Sequence, residues 1–538
     1  MEIKNQDLNT NKNLVLTFVP SVLILFLLCY LFEPQFNTND DVVMQMAAHG
    51  FGVFEKSSPN LIFSNILWGK LVRVIPTING VLGYSLATIS TLFFVTWALI
   101  YVLKELTQSW SLSILAITLI VARAVLFPQF TINAGLLTVT AICALILHIR
   151  RGDNFSLYLA CIFAFIGYLV RFHEFFLVLV VALPLFPFRK IWNAKKCRHA
   201  ILCVSLLIAV SEVFNWASYQ GQEWAQFKDN LISQQPYVNY GASEHLKKRL
   251  DITSKYGYSD NDLDLLSAWF YVDPQLANPK ILNAMTEALG PIGIQDGSIK
   301  KALQGLYTLA KKPTLPLFVA AIFLFFLYPK LPIVIAFLLL FGATYYLGLI
   351  GRPSILRVYY PLISLLVLAP LIIPQQHKVR KYIAIAILSV ACIWNFSYLY
   401  KEQIISKNKI RQVQSDIIKL PPGMLYIWGG SFPFESAYPV LTNNSEANKL
   451  KFYSLGWNTL APYSVSTNEE KNGDEFIKKL LQPGGLLIFA DSQYHGKLLA
   501  TYCQEKFGGQ FELTNYAKFE SFTLLKVECH VDSNRSTK

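Results

Sequence analysis

Two carboxylates stand side by side at Asp40-Asp41, inside the stretch Phe36-Asn37-Thr38-Asn39-Asp40-Asp41-Val42-Val43-Met44. Adjacent carboxylates can divide acid–base work: one accepts a proton from an attacking hydroxyl while the other orients it or holds a metal. The same residues also open a helix, with Thr38 or Asn39 as N-cap, both aspartates in the favourably charged first turn and a stop at Gly50. The two readings are compatible, because a helix N-terminus fixes the direction of its first carboxylates.

The candidate cations are Arg171, in Leu169-Val170-Arg171-Phe172-His173-Glu174, and Arg352 and Arg357, in Gly351-Arg352-Pro353-Ser354-Ile355-Leu356-Arg357-Val358. A guanidinium at a membrane boundary can grip a phosphate through two parallel hydrogen bonds. The structural alternatives are snorkelling to lipid headgroups and pairing, as of Arg171 with Glu174. Arg357 lies within an apolar run and needs a partner on either reading. Glu212, in Val210-Ser211-Glu212-Val213, reads as a structural pair with Arg123. His173-Glu174 offers two metal-ligand types without a third.

These residues are set in a chain built for a membrane. Of its 538 residues 53% are hydrophobic and 15% charged, where a soluble domain carries about 25% charged residues. The net charge is +13, yet from Lys401 onward basic residues exceed acidic ones by only two. The rest of the excess lies among the apolar segments, as membrane orientation requires, so nucleic acid is not the expected partner. Eleven apolar runs reach or approach the length of a transmembrane helix, about 20 residues. They are 14–32, 82–103, 110–127, 132–148, 155–170, 175–188, 200–216, 314–328, 331–350, 355–373 and 382–400. The first is too long for the apolar region of a signal peptide, and no small-residue cleavage site follows in Glu33-Pro34-Gln35-Phe36.

With the N-terminus inside, fourteen Lys and Arg fall in cytoplasmic loops and seven in the opposite set, which sets the orientation. Loops 33–81 and 217–313 and the segment 401–538 then lie outside the cytoplasm, at the cell (inner) membrane. Ile299, Leu303, Leu306 and Leu309 follow helical spacing, like a helix lying on the membrane surface. The last segment alternates strand-like runs with a helical one over 493–507, which predicts a small α/β domain. Only Cys503 and Cys529 share that segment, where an oxidising compartment permits a disulfide without requiring one. Gln482-Pro483-Gly484-Gly485 has the look of a methyltransferase turn, but Trp428-Gly429-Gly430-Ser431 is a poor Gly-rich loop, and we read a turn.

An acidic pair opening a short amphipathic helix directly after the first span resembles the GT-C superfamily of membrane glycosyltransferases. That superfamily includes protein mannosyltransferases, aminoarabinose transferases and oligosaccharyltransferases. Its pattern is Asp-Glu or Asp-Asp, often followed three residues later by an aromatic residue; Asp40-Asp41 matches, and Met44 stands in the aromatic position. The layout is similar too. The resemblance implies a polytopic α-helical membrane protein of about 11 transmembrane helices over 1–400, with an extracytoplasmic C-terminal α/β domain over 401–538. It implies transfer of a sugar from a polyprenyl-phosphate donor to an acceptor hydroxyl on a glycan, lipid or protein. Asp40 would be the base and Asp41 its orienting partner, with Arg357, Arg352 and Arg171 on the lipid phosphate. Members with a metal usually carry a second acidic cluster, and the turn 123–131 has no Asp or Glu. No cofactor is therefore assigned, and a divalent cation, Mg²⁺ or Mn²⁺, stays open. The rival readings are a transporter or flippase, or a polymerase or ligase, of lipid-linked glycans, and a non-catalytic receptor.

Overall fold

The computed structural model describes residues 2–372, 378–443 and 446–531. Ile373, where one expected span ends, and the tail 532–538 of the C-terminal segment lie outside them. The first part of the chain is helical because its long uncharged runs can satisfy their backbone groups only internally in a bilayer. In order come α1 (Glu2–Leu31), α2 (Asn39–His49), α3 (Ile66–Val74), α4 (Gly83–Thr107), α5 (Trp110–Leu126), α6 (Phe130–Arg151), α7 (Asn154–Val170) and α8 (Phe172–Ala182). Helices Lys195–Ser218, Leu315–Leu327, Leu331–Leu349, Leu356–Ile372 and Lys378–Ile417 complete the bundle.

Among the described residues, six helices are long and apolar enough to cross a membrane: the Asn13–Leu31 part of α1, α4, α6, Lys195–Ser218, Leu331–Leu349 and Lys378–Ile417. Five shorter apolar helices accompany them. Each of the eleven apolar runs in the sequence coincides with one of these helices. α6 is the axis of the bundle, buried along almost its whole length, with α4, α7, α8 and Leu356–Ile372 around it. α1 and Lys195–Ser218 are the reverse, and carry exposed apolar side chains such as Val15, Phe26, Leu202 and Val213. Large apolar side chains left exposed in such number are suited to lipid, not water.

The C-terminal segment folds into a five-stranded sheet of order β2-β1-β3-β5-β4. The strands are β1 (Leu425–Trp428), β2 (Phe452–Leu455), β3 (Leu486–Phe489), β4 (Gln510–Lys518) and β5 (Thr523–His530). β1 runs parallel to β2 and β3; β5 runs antiparallel to β3 and β4. β1, inside the parallel part of the sheet, and β2, at its edge, are both buried at every residue. The strand-like runs of the sequence, 424–428, 485–490, 510–513 and 522–527, are β1, β3, β4 and β5, and β2 is an addition. Cys503, on the helix Tyr494–Phe507, is disulfide-bonded to Cys529 on β5.

The segment 217–313 does not stand apart from this sheet. Phe270, Tyr271 and Leu282 share one hydrophobic core with Tyr426, Trp428 and Tyr502. Trp428 donates its indole N–H to the Ala268 carbonyl at 2.5 Å, and Tyr502 donates to Asp273 at 2.7 Å. The helix Ser298–Thr308 buries its small residues against Leu331–Leu349, where a Cβ on Gly305 would meet the Thr344 carbonyl oxygen at 2.6 Å. Its apolar residues Ile299, Leu303 and Tyr307 are left exposed.

Candidate active site

The acidic pair sits where the sequence places it, at the start of α2. Thr38 is the N-cap in extended geometry, and Gly50 closes the helix in the left-handed conformation at φ 73°. A side chain there would also meet the Ser57 backbone nitrogen at 2.5 Å, so glycine is required twice over. Thr38 does not cap through its hydroxyl, which instead donates to the Asp41 carboxylate at 3.3 Å. α2 is clamped between the bundle and the C-terminal segment. Before it, the Gln35 and Asn37 amides donate to the carbonyls of Leu126 and Pro128, and Val440 donates to Pro34. After it, Phe452 and Val465 donate to Gly52 and Val53.

The two aspartates point to different places. Asp41 is fully buried, and its Oδ1 accepts from the Tyr84 hydroxyl and from the Phe130 amide, both at 3.0 Å. Phe130 is the first residue of α6, so Asp41 pins α2 to α4 and to the start of the axial helix. Burial pushes the Asp41 carboxyl up to about 8, and the charge of Asp40 adds to the shift. The hydrogen bonds from Tyr84 and Phe130 and the charge of Arg357 act against it, but loss of water outweighs them at a fully enclosed carboxylate.

Asp40 remains partly accessible and accepts from the Arg357 guanidinium at 3.0 Å, across 317 positions of chain. Arg357 opens the helix Leu356–Ile372, where Pro361 has no N–H to return to the Arg357 carbonyl. That helix packs tightly on α6: a Cβ on Gly135 would meet Pro361 at 2.4 Å. The ion pair is thus set by the same helix contact that forms the bundle.

Arg171, at the junction of α7 and α8, lies beside the stacked rings of Phe63 and Phe130, at 5.2 and 5.1 Å from their centres. Arg352 lies over Tyr240 at 5.8 Å. The charges of Arg357, Arg352, Asp40 and Glu174 all act on Arg171, so the candidate cations and Asp40 form one cluster. Among the described residues neither Arg171 nor Arg352 has a carboxylate within ion-pairing distance. Two guanidinium groups of the cluster are thus left without a carboxylate partner, which suits an anion.

Two further carboxyl groups join the cluster: Glu174, which the sequence offers as a pair for Arg171, and Glu435, which sequence reasoning passed over. Glu174 is buried, has the charges of Arg171 and Arg357 acting on it, and has no hydrogen-bond partner for Oε1. Its spacing from Arg171 was the available signal, although no direct ion pair forms. Glu435 comes from the C-terminal segment; burial raises its carboxyl, and the charge of Asp40 raises it further. Nothing local in the sequence around Glu435 points to α2.

The expected pair of Arg123 with Glu212 is not formed. Arg123 binds Glu402 at 2.6 and 3.1 Å, whereas Glu212 accepts from the Asn65 amide at 2.9 Å. The reason is helix placement: α5 packs on Lys378–Ile417, while Lys195–Ser218 packs on α3 and α7. The donor set near Asp40 does not fit a divalent cation. Asp41 turns its oxygens to N–H and O–H donors, and the Arg357 guanidinium occupies Asp40. Among the described residues no three His, Cys, Asp or Glu side chains are grouped to hold a metal ion.

No family model matches the chain, and no curated protein matches it.

Proposed function

We propose that this chain is a polytopic membrane glycosyltransferase, GT-C-like, that moves a sugar from a polyprenyl-phosphate donor to an acceptor hydroxyl. The observation that carries the reading is the contact of Asp40 with Arg357 inside a cluster of three arginines. A guanidinium that binds the donor phosphate releases Asp40 from the ion pair just as the donor arrives. Asp40 then takes the proton of the acceptor hydroxyl, whose oxygen bonds to the anomeric carbon. The bond from that carbon to the phosphate oxygen breaks, and polyprenyl phosphate leaves with the electron pair, its charge stabilised by Arg357. A single direct displacement inverts the anomeric centre. Asp41 is a positioning residue.

An apolar cleft of about 900 Å³ supports a lipid donor. It begins at Phe175 and Phe176, one turn along α8 from Arg171, and continues past Leu179, Ala164 and Val204 between α7, α8 and Lys195–Ser218. An isoprenoid chain fits such a wall. On this reading all eleven apolar helices cross the membrane, the N-terminus is cytoplasmic, and the sheet lies outside. The exposed stripe of Ser298–Thr308 then rests on the membrane surface. A flippase would need a polar path through the bundle, and few ionisable side chains line it.

The test is binding of a short-chain polyprenyl phosphate to the protein in nanodiscs. Arg357→Lys keeps the charge and loses the fork, and should weaken binding by about tenfold, the loss of one charge-assisted hydrogen bond. Unchanged binding by Arg357→Ala would remove the phosphate role.

A further inference from the structure

We propose that the C-terminal sheet carries a second binding site, for a neutral saccharide, in the cleft at the carboxyl ends of β1 and β3. After β1 the chain turns to one side to form β2, then returns across the sheet to form β3 on the other side of β1. The loops leaving β1 and β3 therefore part in opposite directions, and a crevice opens between them, as at ligand sites of open α/β sheets. A cleft of about 650 Å³ lies there, within the usual range of ligand pockets. Gly430 and Ser431 line it after β1, and Asp491 and Ser492 line it after β3.

The far wall comes from the antiparallel pair. Asn515 and Lys518 of β4 and Thr523 of β5 line it, beside a register shift between Asn515 and Ala517. Such a bulge re-aims side chains at the rim of a site. His495 forms the floor, stacked on Trp428 with ring centres 4.5 Å apart. The Asp491 amide donates to His495 Nδ1 at 2.9 Å, so Nε2 carries the ring proton and is a donor. Burial holds this imidazole down to about 4, so it is neutral at physiological pH.

The chemistry of the lining selects the ligand. Three hydroxyls (Ser431, Ser492, Thr523), one carboxylate, one amide, one ammonium and one imidazole N–H present donors and acceptors together. Asp491 and Lys518 balance in charge. That is the set that matches the vicinal hydroxyls of a sugar. An anion such as a nucleotide phosphate is poorly served, because the Gln493 and Tyr494 amides at the head of the helix already donate to Asp491 Oδ1, at 3.0 and 2.6 Å. A nucleoside cofactor would also expect an acidic residue after the second strand, where this chain has Gly456-Trp457. As the acceptor's docking site the cleft rests on the function proposed above; as a saccharide site it does not.

The experiment is saturation-transfer NMR on the intact chain in nanodiscs, without donor, using methyl glucoside, methyl mannoside, methyl galactoside, N-acetylglucosamine and S-adenosylmethionine as probes. At least one saccharide should give a signal. Asn515→Ala with Lys518→Ala, on the exposed edge strand, should weaken it by about tenfold, the loss of one or two net hydrogen bonds. Ser431→Trp, which fills the cleft, should abolish it. Should Ser431→Trp fail to fold, the edge-strand double variant decides alone. No saccharide signal, a signal unchanged in the double variant, or a signal from S-adenosylmethionine alone would overturn the proposal. A wild-type protein that binds none of the saccharides, yet still releases polyprenyl phosphate from a polyprenyl-phosphate sugar through Asp40, would sink the site and leave the transferase reading standing.

Discussion

Asp40 and Asp41 are neighbours in sequence and opposites in environment, and the difference can be measured. Asp41 is buried, and its carboxyl is raised to about 8 from an ordinary value of 3.8. The native state therefore holds a proton that the unfolded chain has released, so stability falls as pH rises from about 4 to 8. The slope is at most about 1.4 kcal/mol per pH unit for one proton. Asp41→Asn keeps the acceptor for Tyr84 and Phe130 and cannot ionise. The melting temperatures of variant and wild type should diverge in favour of the variant between pH 5 and 8; parallel curves would mean that Asp41 is ionised when folded. Glu435 carries a second prediction at this scale. Glu435→Gln should alter the pH profile of activity without abolishing turnover, because the group acts on Asp40 by charge; an unshifted profile would remove it from the site. The presence of the acidic pair was legible in the sequence, as its helix-opening context was. Which carboxylate stays accessible was not, because that depends on where α4 and α6 pass.

At the scale of elements, apolar runs announce themselves, and every one became a helix. What packs on what does not, and Glu212 shows why. A lone intramembrane carboxylate predicts that a partner exists, while the faces of the packed helices decide that it is Asn65 and not Arg123. β2 was missed for a different reason. Phe452–Leu455 is four residues long and broken by Ser454, whereas β1 and β3, equally short, are unbroken apolar runs. The junction of α6 with Leu356–Ile372 carries the element-scale prediction. Gly135→Leu should push Pro361 away and separate Arg357 from Asp40, at a cost of about 1–3 kcal/mol for overpacking. Polyprenyl-phosphate binding should weaken in step with the loss of stability. A fully stable variant with unchanged binding would show that this contact does not set the ion pair.

The molecule as a whole clamps α2 between the helical bundle and the C-terminal segment, and packs the segment 217–313 on the sheet. Residues 237–289 complete the sheet's core, a union invisible in sequence because contacts such as Trp428 with Ala268 leave no periodic trace. The expected orientation is open to labelling. In a background lacking Cys203, an impermeant thiol reagent should reach Tyr516→Cys from the extracytoplasmic side and Asn193→Cys only from the cytoplasm; the reverse pattern would invert the topology and end the transferase reading. The central claim is that Asp40 is the base of a sugar transfer from a lipid phosphate. It is tested most directly by reconstituting wild-type and Asp40→Asn protein in liposomes with polyprenyl-phosphate sugars and measuring release of polyprenyl phosphate. Asp40 lies in the first turn of α2 rather than at its cap, and Asn keeps its size and an acceptor for Arg357, so Asp40→Asn loses only a dipole and a partly exposed ion-pair contribution and should fold to within about 1 kcal/mol of wild type. Its turnover should fall by about 100-fold or more, the least a positioned general base contributes, and EDTA should leave wild-type turnover unchanged. A stable, correctly inserted Asp40→Asn protein with wild-type turnover would contradict the account.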